Sequence, residues 1–339
     1  MRTELFDYPL PPERIAQTPV EPRDASRLLV LDRATGAIAH RRFRDLPEYV
    51  RAGDLFVFND TRVLPARLIG RKPTGARVEV LLLQRLDDTR WEALVSPGRR
   101  LGVGAAIEFA AGLRARVSER RPDGARVLEF STADGASVDA AIHRVGQVPL
   151  PPYIHQPLAD PERYQTLFAR VEGSAAAPTA SLHFTPAVLA ALRARGAEFA
   201  FVTLHIGIGT FRPVRTAEIE AHAMHEEWYS VPPETAAAIA ACRGRVIAVG
   251  TTVVRCLEAA AEPEGRRVRA ESGRTRLYIT PGYRFRVVEG MITNFHMPRS
   301  SLLVLVSAFV GRERLLAAYH EALAAGYRFL SFGDAMLIL

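Results

Sequence analysis

Five of the nine histidines in this 339-residue chain fall between positions 183 and 296. Histidine titrates near neutral pH, so several in one stretch suit proton transfer as base or acid. His222 and His225, followed by Glu226 and Glu227, are three apart, a spacing that would put both rings on one helical face. Zinc would need a third protein ligand at a recognisable spacing, and none is apparent. His183, beside Phe184, and His296, in Thr293-Asn294-Phe295-His296, sit among apolar residues. For either one alone, a buried ring bonded to backbone is the favoured reading over a catalytic one. Asp334 lies in the apolar stretch Ser331-Phe332-Gly333-Asp334-Ala335-Met336, where a carboxylate needs a partner, structural or catalytic.

Two glycine-bearing turns could hold a ligand. Val249-Gly250-Thr251-Thr252 joins a strand to a helix, and the free N–H groups at that helix start suit a phosphate or carboxylate. Thr251 could also serve only as the N-cap. His205-Ile206-Gly207-Ile208-Gly209-Thr210 ends a strand too, but lacks the third glycine and acidic residue of a dinucleotide fingerprint. Gly173-Ser174-Ala175-Ala176-Ala177-Pro178-Thr179-Ala180 is a loop so poor in side chains that a planar ligand could lie on its backbone. It is no Gly-x-Ser-x-Gly elbow, which argues against serine-hydrolase chemistry. Cys256 reads as core. Schiff-base chemistry would have to use Lys72, the only lysine, in a surface turn.

These residues need positioning, and the pattern around them is α/β. Residues 28–31 and 37–40 predict a hairpin, and 55–58 a buried strand closed by Asn59-Asp60. From 62 to 148 five short β-rich runs (78–83, 91–95, 105–109, 113–118, 126–130) recur between glycine breaks, with no helix predicted. They predict a small antiparallel barrel or sandwich. Five prolines between 149 and 161 then mark a boundary. Beyond it, Asp160-Pro161 predicts a helix running towards 171, and Thr185-Pro186 one ending at Gly196. Strands are predicted at 199–206, 245–249, 277–280 and 285–288, helices at 233–242 and 253–261, and a charged loop at 262–276. The expected organisation is a discontinuous, barrel-like α/β catalytic domain, 1–61 with 149–339, interrupted by an inserted β-barrel at 62–148.

Composition narrows the function classes. The chain is 48% hydrophobic and 24% charged, a globular balance rather than a disordered one. Its longest apolar run, 302–310, is too short to cross a bilayer. The start of the sequence has no secretory apolar core, and two cysteines make no disulfide framework, so a reducing cytoplasm is expected. Net charge is +7, and residues 61–130 hold 14 basic and 8 acidic side chains. A phosphate-rich partner is compatible with that excess, although the dominance of arginine also fits genome composition.

Taken together the motifs resemble the S-adenosylmethionine:tRNA ribosyltransferase-isomerase family. The resemblance runs from Phe6-Asp7-Tyr8-Pro9-Leu10-Pro11 through Asn59-Asp60-Thr61-Arg62-Val63-Leu64-Pro65-Ala66-Arg67 and Arg163-Tyr164-Gln165-Thr166 to Leu182-His183-Phe184-Thr185. It continues through Gly209-Thr210-Phe211-Arg212-Pro213-Val214, His222-Ala223-Met224-His225-Glu226, Gly250-Thr251-Thr252, Ile292-Thr293-Asn294-Phe295-His296 and Gly333-Asp334-Ala335-Met336-Leu337. Ser181 stands where the family usually has glycine, and Phe332 where it usually has tyrosine.

The resemblance implies an enzyme using S-adenosylmethionine as ribosyl donor. The acceptor would be 7-aminomethyl-7-deazaguanine at the tRNA wobble position, the product epoxyqueuosine, and adenine and methionine would leave. Proton transfers would then fall to His183, His205, His222, His225, His296 and Asp334. Gly207, Gly209, Thr210, Gly250, Thr251 and Thr252 would bind the donor, and Arg62, Arg67, Arg99 and Arg100 the tRNA. No metal is implied, and a cytoplasmic monomer is expected. Two rivals are a non-catalytic RNA-binding protein and an S-adenosylmethionine methyltransferase using the strand–Gly–Thr–helix turn. Against the first, the basic segment lacks the interleaved exposed aromatics of a stacking platform.

Overall fold

The computed structural model describes every residue except Asp123 and 208–212. It divides into two compact units, one of Met1–Arg62, Pro151–Val171 and Ala177–Leu339, the other of Val63–Leu150 and Glu172–Ala176.

The first unit is built on a nine-stranded mixed sheet. In chain order its strands are β1 (Arg27–Leu31), β2 (Ile38–Arg42), β3 (Leu55–Asn59), β4 (Glu198–Leu204), β5 (Glu227–Val231), β6 (Val246–Val249), β7 (Glu271–Thr275), β8 (Gly290–Asn294) and β9 (Ala335–Ile338). Their spatial order is β7-β5-β4-β3-β6-β8-β9-β1-β2. The run β4-β3-β6-β8 is parallel throughout. Every residue of β3, β6 and β8 is buried, as expected of central strands covered on both faces. Among the described residues five α-helices complete the unit: α1 (Pro186–Ala194), α2 (Pro233–Ala241), α3 (Thr251–Ala260), α4 (Ser301–Val310) and α5 (Arg312–Ala324). On one face Phe56, Phe58, Ile247, Val249 and Ile292 pack with Phe184, Val188 and Leu192 at the start and along the length of α1. No described helix is long and apolar enough to cross a membrane.

The second unit is a closed six-stranded antiparallel barrel. Around it run Arg126–Thr132, Arg90–Ser96, Arg77–Arg85, Arg67–Arg71, Ala106–Phe109 and Leu113–Arg120. Burial alternates along Leu113–Arg120, sending Leu113, Ala115 and Val117 inward and arginines outward. Gly70 is required by packing: a Cβ there would meet Ile107, Phe109 and the Glu108 carbonyl at 2.8 Å.

The mixed α/β architecture and the antiparallel barrel agree with the sequence, but several local expectations do not hold. The glycine-punctuated segment also contains a strand at Arg67–Arg71 and a helix at Val138–Val145, whose Val138, Ala141 and Ile142 join the barrel core. The helix expected from Asp160 stops after Pro161–Tyr164, although the Asp160 carboxylate does cap Glu162 N at 3.0 Å. Tyr164 and Thr166 are both buried, and side chains two apart share a face in an extended chain, not in an α-helix. Residues 277–280 and 285–288 are not strands. The amides of Arg286, Val287 and Val288 instead donate to the buried Glu258 carboxylate of α3, each at 3.0 Å, so they have no ladder to join. The charged stretch 262–276, expected as a loop, contains edge strand β7, whose alternating polar residues suit an edge.

Candidate functional site

A cleft enclosing about 690 Å³ of space, mouth included, lies at the carboxyl ends of the parallel strands. That is where open α/β sheets bind ligands, because successive strand-to-helix turns there present backbone and side-chain polar groups together. Ile206 reaches it just beyond β4, and Gly250, Thr251 and Thr252 between β6 and α3. Thr293 to Met297 contribute from the end of β8, Ala177 to Ala180 from the small-residue loop, and Tyr153, Leu330 and Ser331 from two further loops.

The turn after β6 works through its backbone. Gly250 has φ 98°, a left-handed conformation that glycine adopts without a Cβ penalty. It is the N-cap of α3, and it offers no side chain to cover the first helical N–H groups. Thr251 is thus the first helical residue and not the cap. The Thr252 hydroxyl accepts from the Asn59 amide at 3.4 Å, tying the turn to the end of β3.

His296 lines the cleft and is almost wholly buried. Its Nε2 lies 3.3 Å from the Thr293 hydroxyl, while its backbone N–H donates to Tyr319 Oη at 3.0 Å and its carbonyl accepts from Tyr8 Oη. Burial disfavours the imidazolium and pushes the pKa down to about 3. The ring is therefore neutral at working pH.

Asn294 was not singled out from the sequence as a site residue, yet it lines the cleft and organises its floor. Its Nδ2 donates to the Leu330 carbonyl at 3.0 Å and lies 3.2 Å from His183 Nε2, and its Oδ1 accepts from Thr179 Oγ1 at 3.4 Å. His183 Nδ1 in turn lies 2.8 Å from Ser26 Oγ. His183 is fully buried, stacked on Phe43 at 5.1 Å, and held well below its ordinary pKa first by burial and then by the charges of Arg23 and Arg328. A neutral ring accepting at Nε2 must carry its proton on Nδ1. His183 is thus one shell behind the cleft and fixes the Asn294 amide. The only sequence signal for Asn294 was a polar residue at the carboxyl end of a buried strand. Tyr153 and Ser331 also went unnoticed; their hydroxyls meet at 2.8 Å on the cleft wall.

The other expected acid–base residues are not among those lining the cleft. His205 Nδ1 lies 2.9 Å from the Thr61 hydroxyl, its ring stacks on Trp228 at 4.8 Å, and burial lowers its pKa. His222 follows a single 3₁₀ turn, so it shares no helical face with the exposed His225; its ring edges against Tyr278 at 5.4 Å. Burial, then the neighbouring His225, lowers the His222 pKa. Among the described residues no three His, Cys, Asp or Glu side chains are grouped to hold a metal ion. Asp334 is buried, with one carboxylate oxygen accepting from Arg27 N and the other from Arg328 N, both at 2.8 Å. Burial raises its pKa against the pull of those two amides. It is a structural anchor in front of β9, not a wall of the cleft. Gly207 N donates to Glu227 Oε1 at 3.0 Å, which fixes the turn after β4 rather than freeing it for ligand. Gly209 and Thr210 lie outside the described residues. Ser181 is buried and is not a lining residue of the cleft.

A family model described as queuosine biosynthesis protein matches residues 3–338. The chain belongs to that family. It is 58% identical over 344 residues to the S-adenosylmethionine:tRNA ribosyltransferase-isomerase of Moorella thermoacetica, with all of both chains covered. Identity to the enzyme of the same name from Gloeobacter violaceus is 56%, covering 99% of this chain and 96% of the relative. The crystal structure of S-adenosylmethionine tRNA ribosyltransferase from Thermotoga maritima superposes with a TM-score of 0.57 at 42% identity, covering 99% of this chain and all of that one. The motif resemblance is confirmed, and the chain is an enzyme of the transferase and isomerase class.

Of the four arginines expected to meet tRNA, two are occupied. Arg62 pairs with Glu162 at 2.6 Å, and Arg67 holds both carboxylate oxygens of Glu79 at 2.8 and 2.9 Å. The register sets Ile69 opposite Glu79, so Arg67 reaches it diagonally, a contact that only strand pairing reveals. Arg99 and Arg100, on the turn Gly98–Arg100, are exposed and form no ion pair among the described residues.

Proposed function

We propose that the enzyme transfers the ribosyl group of S-adenosylmethionine to the aminomethyl group of 7-aminomethyl-7-deazaguanine at the tRNA wobble position. The sugar rearranges to the epoxycyclopentane-diol of epoxyqueuosine, and adenine and methionine leave. The observation that carries this reading is a neutral imidazole and an uncapped helix N-terminus opening into one cleft.

The chemistry needs a proton removed beside the sulfonium, whose charge acidifies that C–H, and help for the departing adenine. We assign both steps to His296 because it is the imidazole that lines the cleft: its unprotonated ring takes the proton, and the imidazolium so formed hands it on to adenine. The N–H groups of Thr251 and Thr252 receive the donor's carboxylate, with the helix dipole favouring negative charge there, while the Gly250 N–H is held by the Ile292 carbonyl at 2.8 Å. Asn294, held by His183, presents Oδ1 as an acceptor for a donor group of the nucleoside. Arg99 and Arg100 supply charge for anticodon-stem phosphates.

Purified enzyme is incubated with S-adenosylmethionine and a precursor-bearing anticodon stem-loop, and the released base is measured. Free adenine is expected. S-adenosylhomocysteine would indicate methylation instead, and neither product would indicate binding alone.

A further inference from the structure

Arg23 has no counterpart in the reading above. It begins a one-turn 3₁₀ helix, Arg23–Ala25, and is 9% exposed. Its Nε donates to the Leu182 carbonyl at 3.1 Å, but Nη1 and Nη2 are buried without a hydrogen-bond partner. No carboxylate among the described residues forms an ion pair with it. Asp24 beside it accepts from Thr185 Oγ1 at 2.7 Å, and both Asp334 oxygens are taken by backbone amides. Burying a cation so incompletely satisfied is costly, and such a group calls for an ion, a ligand or an ordered water to complete it.

Two more arginines are fastened to the same short segment. Arg163 pairs with Glu21 at 2.5 Å, and Arg328 Nη1 donates to the Thr18 carbonyl at 3.0 Å. Both are partly exposed. Burial, then the positive charges of Arg328 and Arg163, pull the Arg23 pKa down to about 10. Glu21 and Asp334 act on Arg23 only at a distance, the one paired with Arg163 and the other bonded to backbone amides, so its two unpartnered guanidinium nitrogens favour an oxyanion over a neutral ligand.

We propose that Arg23, with Arg163 and Arg328 beside it, forms a second ligand site that takes a phosphate of the substrate RNA backbone. The inference rests on the tRNA-modifying reading given above. A phosphate fits better than the donor's carboxylate for two reasons. Arg23 is not a lining residue of the cleft, and the cleft has its own anion seat at the start of α3. The site still adjoins the cleft, because the backbone that Arg23 holds at Leu182 continues from Thr179 and Ala180 in the cleft wall.

The test compares the wild type with Arg23→Met, Arg163→Gln and Arg328→Gln in three measurements. The first is thermal stability with and without inorganic phosphate at constant ionic strength. The second is the affinity of an anticodon stem-loop across a salt series, and the third is S-adenosylmethionine affinity. Phosphate should raise the melting temperature of the wild type and not of Arg23→Met. Arg23→Met, which removes an unsatisfied buried charge, should melt no lower than wild type in phosphate-free buffer. Arg23→Met should weaken stem-loop binding roughly tenfold and flatten the log K against log salt slope by about 0.7–0.9, with donor affinity within about twofold; Arg328→Gln and Arg163→Gln should act in the same direction but less, Arg163 being already paired with Glu21. Should Arg23→Met not fold, the two partly exposed arginines carry the same measurements. Unchanged RNA affinity and salt slope overturn the proposal, as does a loss confined to donor affinity or to stability. Failure of the wild type to release adenine would sink the functional reading instead, and leaves the phosphate arm a separate result.

Discussion

The two units treat buried polarity in opposite ways. Among described residues the barrel buries Arg126 and Ser174 as its polar side chains, and Arg126 is satisfied by the carbonyls of Gly98, Leu101, Gly124 and Ala125. The α/β unit buries Asn59, Asp60, Thr61, His183, Glu227, Thr252, Arg255, Glu258, Asn294 and His296, several of them at or next to strand carboxyl ends. Desolvating a polar group is unfavourable unless it is hydrogen-bonded; Thr252, Asn294 and His296 line the cleft, while His183, Glu227, Arg255 and Glu258 are held by one another or by neighbouring backbone and side chains. The barrel closes an apolar core and shows its charge to solvent, which suits a scaffold carrying surface arginines rather than a reaction centre.

Breaking ion pairs should expose that contrast most strongly. Arg255 and Glu227 pair with only 3% of either side chain exposed, whereas Arg67 and Glu79 are 40% and 37% exposed. Glu227→Ala should destabilise the protein by about 3–5 kcal/mol by stranding a buried guanidinium. Glu79→Ala should cost less than about 1 kcal/mol. Equal losses in denaturant unfolding would remove the distinction.

Next in size is the difference between a cleft-lining group and an anchor within the α/β unit. His296→Ala should slow single-turnover adenine release by about 10²-fold or more, the scale of acid–base catalysis. Asp334→Asn should mainly lower stability, since its carboxylate serves the amides of Arg27 and Arg328. A His296→Ala rate within about threefold of wild type would end the assignment of proton transfer to that ring.

Acid should act on the α/β unit more than on the barrel. His183 and His296 have folded-state pKa values depressed below the ordinary 6.5. The unfolded chain therefore binds more protons below that pH, so their stabilisation is present above about 6.5 and is lost as pH falls. Each contributes a slope of up to about 1.4 kcal/mol per pH unit. Unfolding curves at pH 7 and pH 5 should show the drop, and His296→Gln should flatten it.

The smallest effect belongs to the barrel surface. Arg99→Gln with Arg100→Gln should weaken stem-loop binding severalfold and reduce the salt slope, while Arg67→Gln changes both less because Glu79 already neutralises Arg67. A titration across salt concentrations separates the two, and a larger loss from Arg67→Gln would reverse the order.

Much of the fold was legible because its signals are local. Thr185-Pro186 and Gly196 bound α1 as capping chemistry requires, with the Thr185 hydroxyl accepting from Val188 N. The hairpin of β1 and β2 follows from two β-rich runs around Gly36. What failed depended on distant partners. Residues 285–288 have strand composition, but Glu258 takes their amides. The site was legible as a set of residue types and only partly as a set of roles. His296 and the Gly250 turn reached the cleft, whereas Asp334 became an anchor and His183 a support for Asn294.

By itself the sequence determined the family, the alternation of helix and strand, the barrel-forming segment and the strand ends at which polar residues cluster. These follow from periodicity, turn chemistry and ordered motifs, all short-range properties of the chain. Only the tertiary structure decided which imidazole faces the cleft, which arginines are neutralised across strands, and that Arg23 is buried with two guanidinium nitrogens unpartnered. Burial and hydrogen-bond pairing join residues far apart in the chain, as Ser26, His183 and Asn294 are joined, and those two quantities set whether a polar group is catalytic, structural or awaiting a ligand.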